Sequence, residues 1–113
     1  MAYVIVPTTS SPNQTFRCTL PIDGKNITLA FFLRFNSLAG YWLMDISDPE
    51  TDLPLLASIP LVPSDAPGGN LLHQYQYLEI GSAAIIKAGA TSEEHPGETS
   101  LGTDWLLSWG DTR

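Results

Sequence analysis

The residues of this sequence that could do chemistry are two histidines, one cysteine and a scatter of carboxylates. A zinc site takes four tetrahedral ligands, usually drawn from a local motif. His73 and His95 stand 22 residues apart with no such motif around either, and Cys18 would add only a third ligand from a third segment. The expectation is therefore no metal and no cofactor, with His95 exposed in a polar stretch and His73 at the surface or in a contact. Asp48, Glu50 and Asp52 alternate as the ligands of a calcium loop do. Position 50 is Glu, Pro49 intervenes and no glycine follows, so these acids read as a solvated turn. Asp104 and Asp111 flank the last apolar run, but nothing around them supports a glycosidase-like pair. Gly68-Gly69 lacks the Lys-Ser/Thr of a phosphate-binding loop. No nucleophile has a base beside it, and the chain reads as no enzyme.

Two further residue classes need placing. Cys18 alternates with Phe16 and Leu20 on the apolar side of a strand-like run, so it reads as a small buried hydrophobe, and a single cysteine excludes an internal disulfide. The chain reads as one assembled in a reducing compartment. Trp42, Trp105 and Trp109, with Tyr41, Tyr75 and Tyr77, could stack on a sugar or a base, although tryptophans at period two more often belong to a core or a subunit interface.

The 113 residues fit one domain, 1–113, large enough to bury roughly two-thirds of the surface its unfolded chain exposes. Charged residues make up 15%, against about 25% in an average chain. That deficit points to surface covered by partners. Twelve acids against five bases give a net charge of −7, with the bases scattered. Specific nucleic-acid binding and anionic membrane surfaces are both disfavoured. The N-terminal run Met1 to Pro7 has no basic region of a secretion signal, and no apolar run approaches the ~20 residues of a membrane helix.

Period-two alternation predicts the elements that would position these residues. A short strand over Tyr3–Val6 ends at Pro7, and a second runs from about Gln14 to Leu20. Asp23-Gly24 predicts a type I′ hairpin into a third strand, about Asn26 to Phe35, with Ile27, Leu29, Phe31, Leu33 and Phe35 on one face. A fourth strand covers Tyr41–Ile46. A fifth, Leu53–Val62, places Leu53, Leu55, Ala57, Ile59 and Leu61 together and, with Pro54 and Pro60, belongs at an edge. After a loop over 64–69, Asn70 could cap one helical turn. A sixth strand from about Tyr77 to Lys87 would point Leu78, Ile80, Ala84 and Ile86 inward. Residues 89–100 read as an exposed loop. The last strand, Leu101–Trp109, aligns Trp105, Leu107 and Trp109. The expected fold is all-β: a small β-barrel or sandwich of about seven short, mostly antiparallel strands.

Five segments occur in order along nearly the whole chain: Pro12-Asn13-Gln14-Thr15-Phe16, Gly40 to Ile46, Ser58-Ile59-Pro60-Leu61-Val62, Asn70 to Leu78, and Leu101 to Asp111. Together they resemble the baseplate plug family of contractile-tailed phages with simple baseplates. The resemblance implies a structural virion protein of the tail baseplate, assembled in the host cytoplasm. It would contact the hub and the tail tube or tube initiator near the central axis, plugging or joining the distal tube end, in several symmetric copies. The family has no catalytic residues to carry over. Two other readings stand beside it: a small ligand-binding β-barrel with a tryptophan-lined pocket, and a hydrolase using Asp104 or Asp111.

The candidate assembly contacts are Leu71, Leu72, Tyr75 and Tyr77, in a Leu- and Tyr-rich segment outside the clean alternation, and Tyr3 and Ile5 in the N-terminal strand. Residues 1–7 could add to a neighbour's sheet edge.

Overall fold

The computed structural model describes residues 3–11, 13–63, 69–89, 92 and 94–112. Seven strands among them form two antiparallel sheets. Sheet A holds β1 (Tyr3–Val6), β7 (Trp105–Gly110) and β6 (Ser82–Lys87) in the order β1-β7-β6. Sheet B is a meander of β2 (Asn13–Ile22), β3 (Lys25–Asn36), β4 (Tyr41–Ser47) and β5 (Pro54–Pro60). The sheets pack as a sandwich and do not close into a barrel.

β3 buries the face its alternation predicts. Leu29, Phe31 and Leu33 are buried, with Ile27 and Phe35 packed against them. Phe31 carries the sheet-to-sheet contact. It stacks on Phe16 of β2 with centroids 5.0 Å apart and meets Trp109 of β7 edge-on at 5.4 Å. Aromatic pairs in these geometries add about 0.5–1.5 kcal/mol beyond area burial. Asp23 and Gly24 turn the β2–β3 hairpin with φ of 54° and 80°, as a type I′ turn requires.

Two strands differ from the expected phase. In β5, Met44 pairs with Ile59 but Ile46 pairs with Leu56, so one extra residue bulges out. Ser58 sits there with φ 56°. Ile59 and Leu61 are buried as expected, but before the bulge Leu56 turns inward, leaving Leu55 half-buried, Ala57 exposed and Leu53 62% exposed, and the register shifts again between the pairs of Ile46 and Ser47. Asp45 holds it, accepting the Ser58 N–H at 2.7 Å while binding Arg34 at 2.7 Å; Arg34 also donates to the Ser58 hydroxyl at 2.8 Å. β5 lies at a sheet edge, where its prolines are tolerated.

β6 begins at Ser82 instead of Tyr77, because the preceding residues form a 3-10 helix (His73–Leu78) that ends with Glu79 at φ 54° and Gly81 at φ 101°. The strand then points Ala83 and Ile85 into the core, not Ala84 and Ile86. β7 begins at Trp105, after a turn in which Trp105 N–H bonds the Ser100 carbonyl, and Leu101 packs in the core from that turn. Trp105, Leu107 and Trp109 all face inward, as expected.

Candidate assembly surface

The segment after residue 69 is built by Asn70, though not as a helix cap. Its carboxamide oxygen accepts the Leu72 N–H at 2.9 Å and the Ala83 N–H at 3.0 Å, while Leu71 N–H bonds the Ala83 carbonyl at 2.7 Å. Asn70 thus ties the segment to the outer edge of β6, and the 3-10 helix starts later, capped by no side chain. Most of the loop expected before it, 64–68, lies outside the described residues.

This tie decides which of the candidate contacts face outward. Leu72 is fully buried in the core, so it anchors the segment and cannot touch a partner; its place among the contacts is corrected on that ground. Leu71 and Tyr75 are half-buried and, with Gln74, face Ala57, Ile59 and Pro60 of β5 across an open groove of about 250 Å³. Tyr77 is 74% exposed. Ile5 is 46% exposed on β1, and the Tyr3 side chain lies outside the described residues. The two groups do not form one patch, because β7 and β6 stand between β1 and the 70–78 segment. Within the chain β1 pairs with β7, from Tyr3↔Gly110 to Val6↔Leu107.

Sheet A carries a feature that the alternation missed. Paired residues of antiparallel strands share a face. With Trp105, Leu107 and Trp109 inward, the outer face holds Leu106, Ser108 and Gly110 of β7, flanked by Ile5 and by Ser82, Ala84 and Ile86. No acid or base stands in that set. Sheet B contrasts with it, showing the Arg34–Asp45 pair and a Thr19–Thr28 hydroxyl bond on its outer face. The run Ala83-Ala84-Ile85-Ile86, apolar on both faces, was the sequence signal for a strand covered on both sides.

The residues singled out for chemistry stay apart. Among the described residues no three of His, Cys, Asp or Glu come together. His73 is exposed on the 3-10 helix, and His95 packs edge-on to Tyr41 at 6.4 Å. Cys18 is half-buried on β2, and burial pushes its thiol pKa up. Asp104 and Asp111 lie beyond opposite ends of β7, about 20 Å apart at strand rise, well past the separation of a glycosidase pair. Asp111 is occupied by the Asp23 N–H. The tryptophans are core residues: Trp42 and Trp109 donate to the carbonyls of Gly97 and Ile80, each at 2.8 Å, and the groove beside β5 contains no tryptophan.

The family model described as the cyanophage baseplate Pam3 plug gp18 matches residues 1–112. The chain belongs to this baseplate plug family. No curated protein matches it. In this member of the plug family few charges are paired within the described residues. Arg34–Asp45 is the sole ion pair among the described residues. The exposed acids Glu50, Asp52 and Glu94 therefore stay unneutralised.

Proposed function

We propose that this chain is a non-enzymatic structural part of a phage tail baseplate. It works by contact, in several symmetric copies, touching hub and tail-tube components near the central axis and plugging or joining the distal end of the tube. The observation that carries this reading is the plug-family match over residues 1–112. The outer face of sheet A supports it, because a half-buried sheet face without acids or bases is suited to burial in an assembly. So do the exposed Tyr77 and the half-buried Leu71 and Tyr75, since tyrosine buries area at low rotameric cost and keeps a polar tip. Ile5 on β1 extends the apolar face toward the opposite flank, and Tyr3 on the same strand is proposed as a contact beside it. The net charge of −7, with few internal ion pairs, favours a wall that repels DNA passing nearby. No cofactor is required for such a role, and assembly takes place in the host cytoplasm.

The test is a side-chain-resolution map of intact tails together with deletion of the chain. The reading requires density for this fold at the distal tube end, in a copy number set by the tail's symmetry, and non-infectious particles without it. Tails that form and infect normally in its absence would end the structural reading.

A further inference from the structure

Sheet edges are where a β protein is open to pairing, and native folds usually blunt them. Three of the four edges here are blunted. β1 has only four residues. β5 is bounded by Pro54 and Pro60 and broken by the bulge at Ser58. β6 gives the N–H and C=O of Ala83 to Asn70 and Leu71. The fourth, β2, carries one proline, Pro21, beside its hairpin, and from Asn13 to Leu20 it has none of these devices. It pairs with β3 in unbroken register from Asn13↔Arg34 to Ile22↔Lys25, and its other flank has no strand partner among the described residues.

The hairpin fixes which backbone groups face that flank. A two-residue turn makes Ile22↔Lys25 a hydrogen-bonded pair, so Leu20, Cys18, Phe16 and Gln14 bond toward β3. The N–H and C=O groups of Thr15, Arg17 and Thr19 point the other way. All three residues are exposed, and no hydrogen bond among the described residues reaches their backbone. Phe16 and Cys18 are only half-buried, so the core is one strand short of cover at this edge.

We propose that the open edge of β2 receives an extended segment of a different protein as an added strand, with apolar side chains over Phe16 and Cys18 and a carboxylate across from Arg17. Main-chain bonds to Thr15, Arg17 and Thr19 supply the affinity, and the alternating side chains supply the specificity. Arg17 selects the occupant. It is exposed, pairs across β3 with Ala30, and has no ion-pair partner among the described residues of a chain carrying −7. A second copy is the wrong occupant. The register using the full open length of two β2 strands sets Arg17 opposite Arg17, and like charges directly opposite destabilise a pair.

The inference rests on the assembly role above but concerns a surface separate from the 70–78 segment. Its test is hydrogen exchange over 13–21, compared between the free full-length chain and purified tails. The amides of Thr15, Arg17 and Thr19 should exchange freely in the free chain and at least about tenfold more slowly in tails. Arg17→Glu should fold with an unchanged denaturant midpoint and enter tails roughly tenfold less, while Arg17→Lys enters normally. Unchanged exchange over 13–21, or normal incorporation of Arg17→Glu, overturns the proposal. A free chain that dimerises with β2 already protected overturns it in favour of a second copy. Absence of the wild-type chain from tails overturns the proposed function as well, whereas its presence with β2 unprotected overturns this inference alone.

Discussion

The carboxylate of Asp23 accepts both the backbone N–H and the hydroxyl of Thr112, 89 residues away, at 2.9 and 2.5 Å. Asp23 also donates its own N–H to Asp111 at 2.9 Å, and the Thr112 hydroxyl in turn accepts the Gly81 N–H at 3.2 Å. One turn residue of sheet B thereby fastens the end of β7 and the entry to β6 in sheet A. Hydrogen bonds to charged groups contribute roughly 1.5–3 kcal/mol, less where solvent competes, and Asp23 is exposed. Asp23→Ala should cost about 1–3 kcal/mol in urea melts. Asp23→Gly separates the causes, because glycine tolerates the φ of 54° and lacks only the carboxylate. If Asp23→Gly melts like wild type, the bond to Thr112 contributes nothing to stability.

The two faces of β3 should respond very differently to truncation. Phe31 is fully buried between Phe16 and Trp109, so Phe31→Ala should cost about 3–5 kcal/mol. Phe32 lies on the outer face, half-exposed, with Arg34 5.7 Å above its ring. Phe32→Ala should cost about 1 kcal/mol. Equal losses in the two denaturation curves would contradict the assignment of faces.

Gly81 is a closer constraint than the hairpin glycine Gly24, whose Cβ would meet nothing. A Cβ there would lie 2.5 Å from Trp109 Nε1 and 2.6 Å from the Gly110 carbonyl, at a φ of 101°. Neither neighbour can retreat, since Trp109 is buried and Gly110 belongs to the backbone of β7. Gly81→Ala should lower stability by about 2–3 kcal/mol and change tryptophan fluorescence as the Trp109 ring shifts. An unaltered spectrum with wild-type stability would show that this approach is looser than the geometry states.

Anchor and contact separate within one segment. Leu72→Ser should destabilise the free chain by about 2–5 kcal/mol, because Leu72 is fully buried. Tyr77→Ser and, on the outer face of sheet A, Ile86→Asp should leave the melt within about 1 kcal/mol of wild type and reduce incorporation into tails. Quantitative mass spectrometry of purified tails gives the copy number. Normal incorporation of both variants would remove these two surfaces from the assembly contacts.

Cys18 should be a slow thiol. Burial raises its pKa above the ordinary value of 9.0, which disfavours the thiolate in the folded state relative to the unfolded one. The folded chain should react with a thiol reagent at neutral pH more slowly than the chain in urea. A raised folded pKa contributes stability that is fully present below pH 9 and is lost as pH rises through the folded value. A Cys18→Ser variant should lose less stability between pH 8 and pH 10 than wild type, roughly in proportion to the shift. Equal rates in buffer and in urea would contradict the burial.

Where chemistry depends on neighbours along the chain, the sequence alone was decisive. Asp23-Gly24 specified its turn because positive φ at two consecutive residues is a local demand that few side chains meet. Alternation over Ile27–Phe35 and over Trp105–Trp109 chose the buried faces correctly, because an unbroken strand keeps period two. The prolines of β5 marked an edge for an equally local reason, the missing N–H. The tertiary structure decided what depends on residues far apart. The bulge at Ser58 changed the phase of β5 ahead of it, turning Leu56 inward while Ile59 and Leu61 kept theirs, and it is held by Asp45 and Arg34 from other strands. β6 is apolar on both faces, so alternation could not choose between Ala83 and Ala84; the position of sheet B chose. Leu72 read as a contact beside Tyr75 and Tyr77, and became an anchor only because Asn70 ties that segment to Ala83. The fastening of Asp23 to Thr112 has no sequence signature, since a carboxylate's partners are fixed by which chain ends the sandwich brings together.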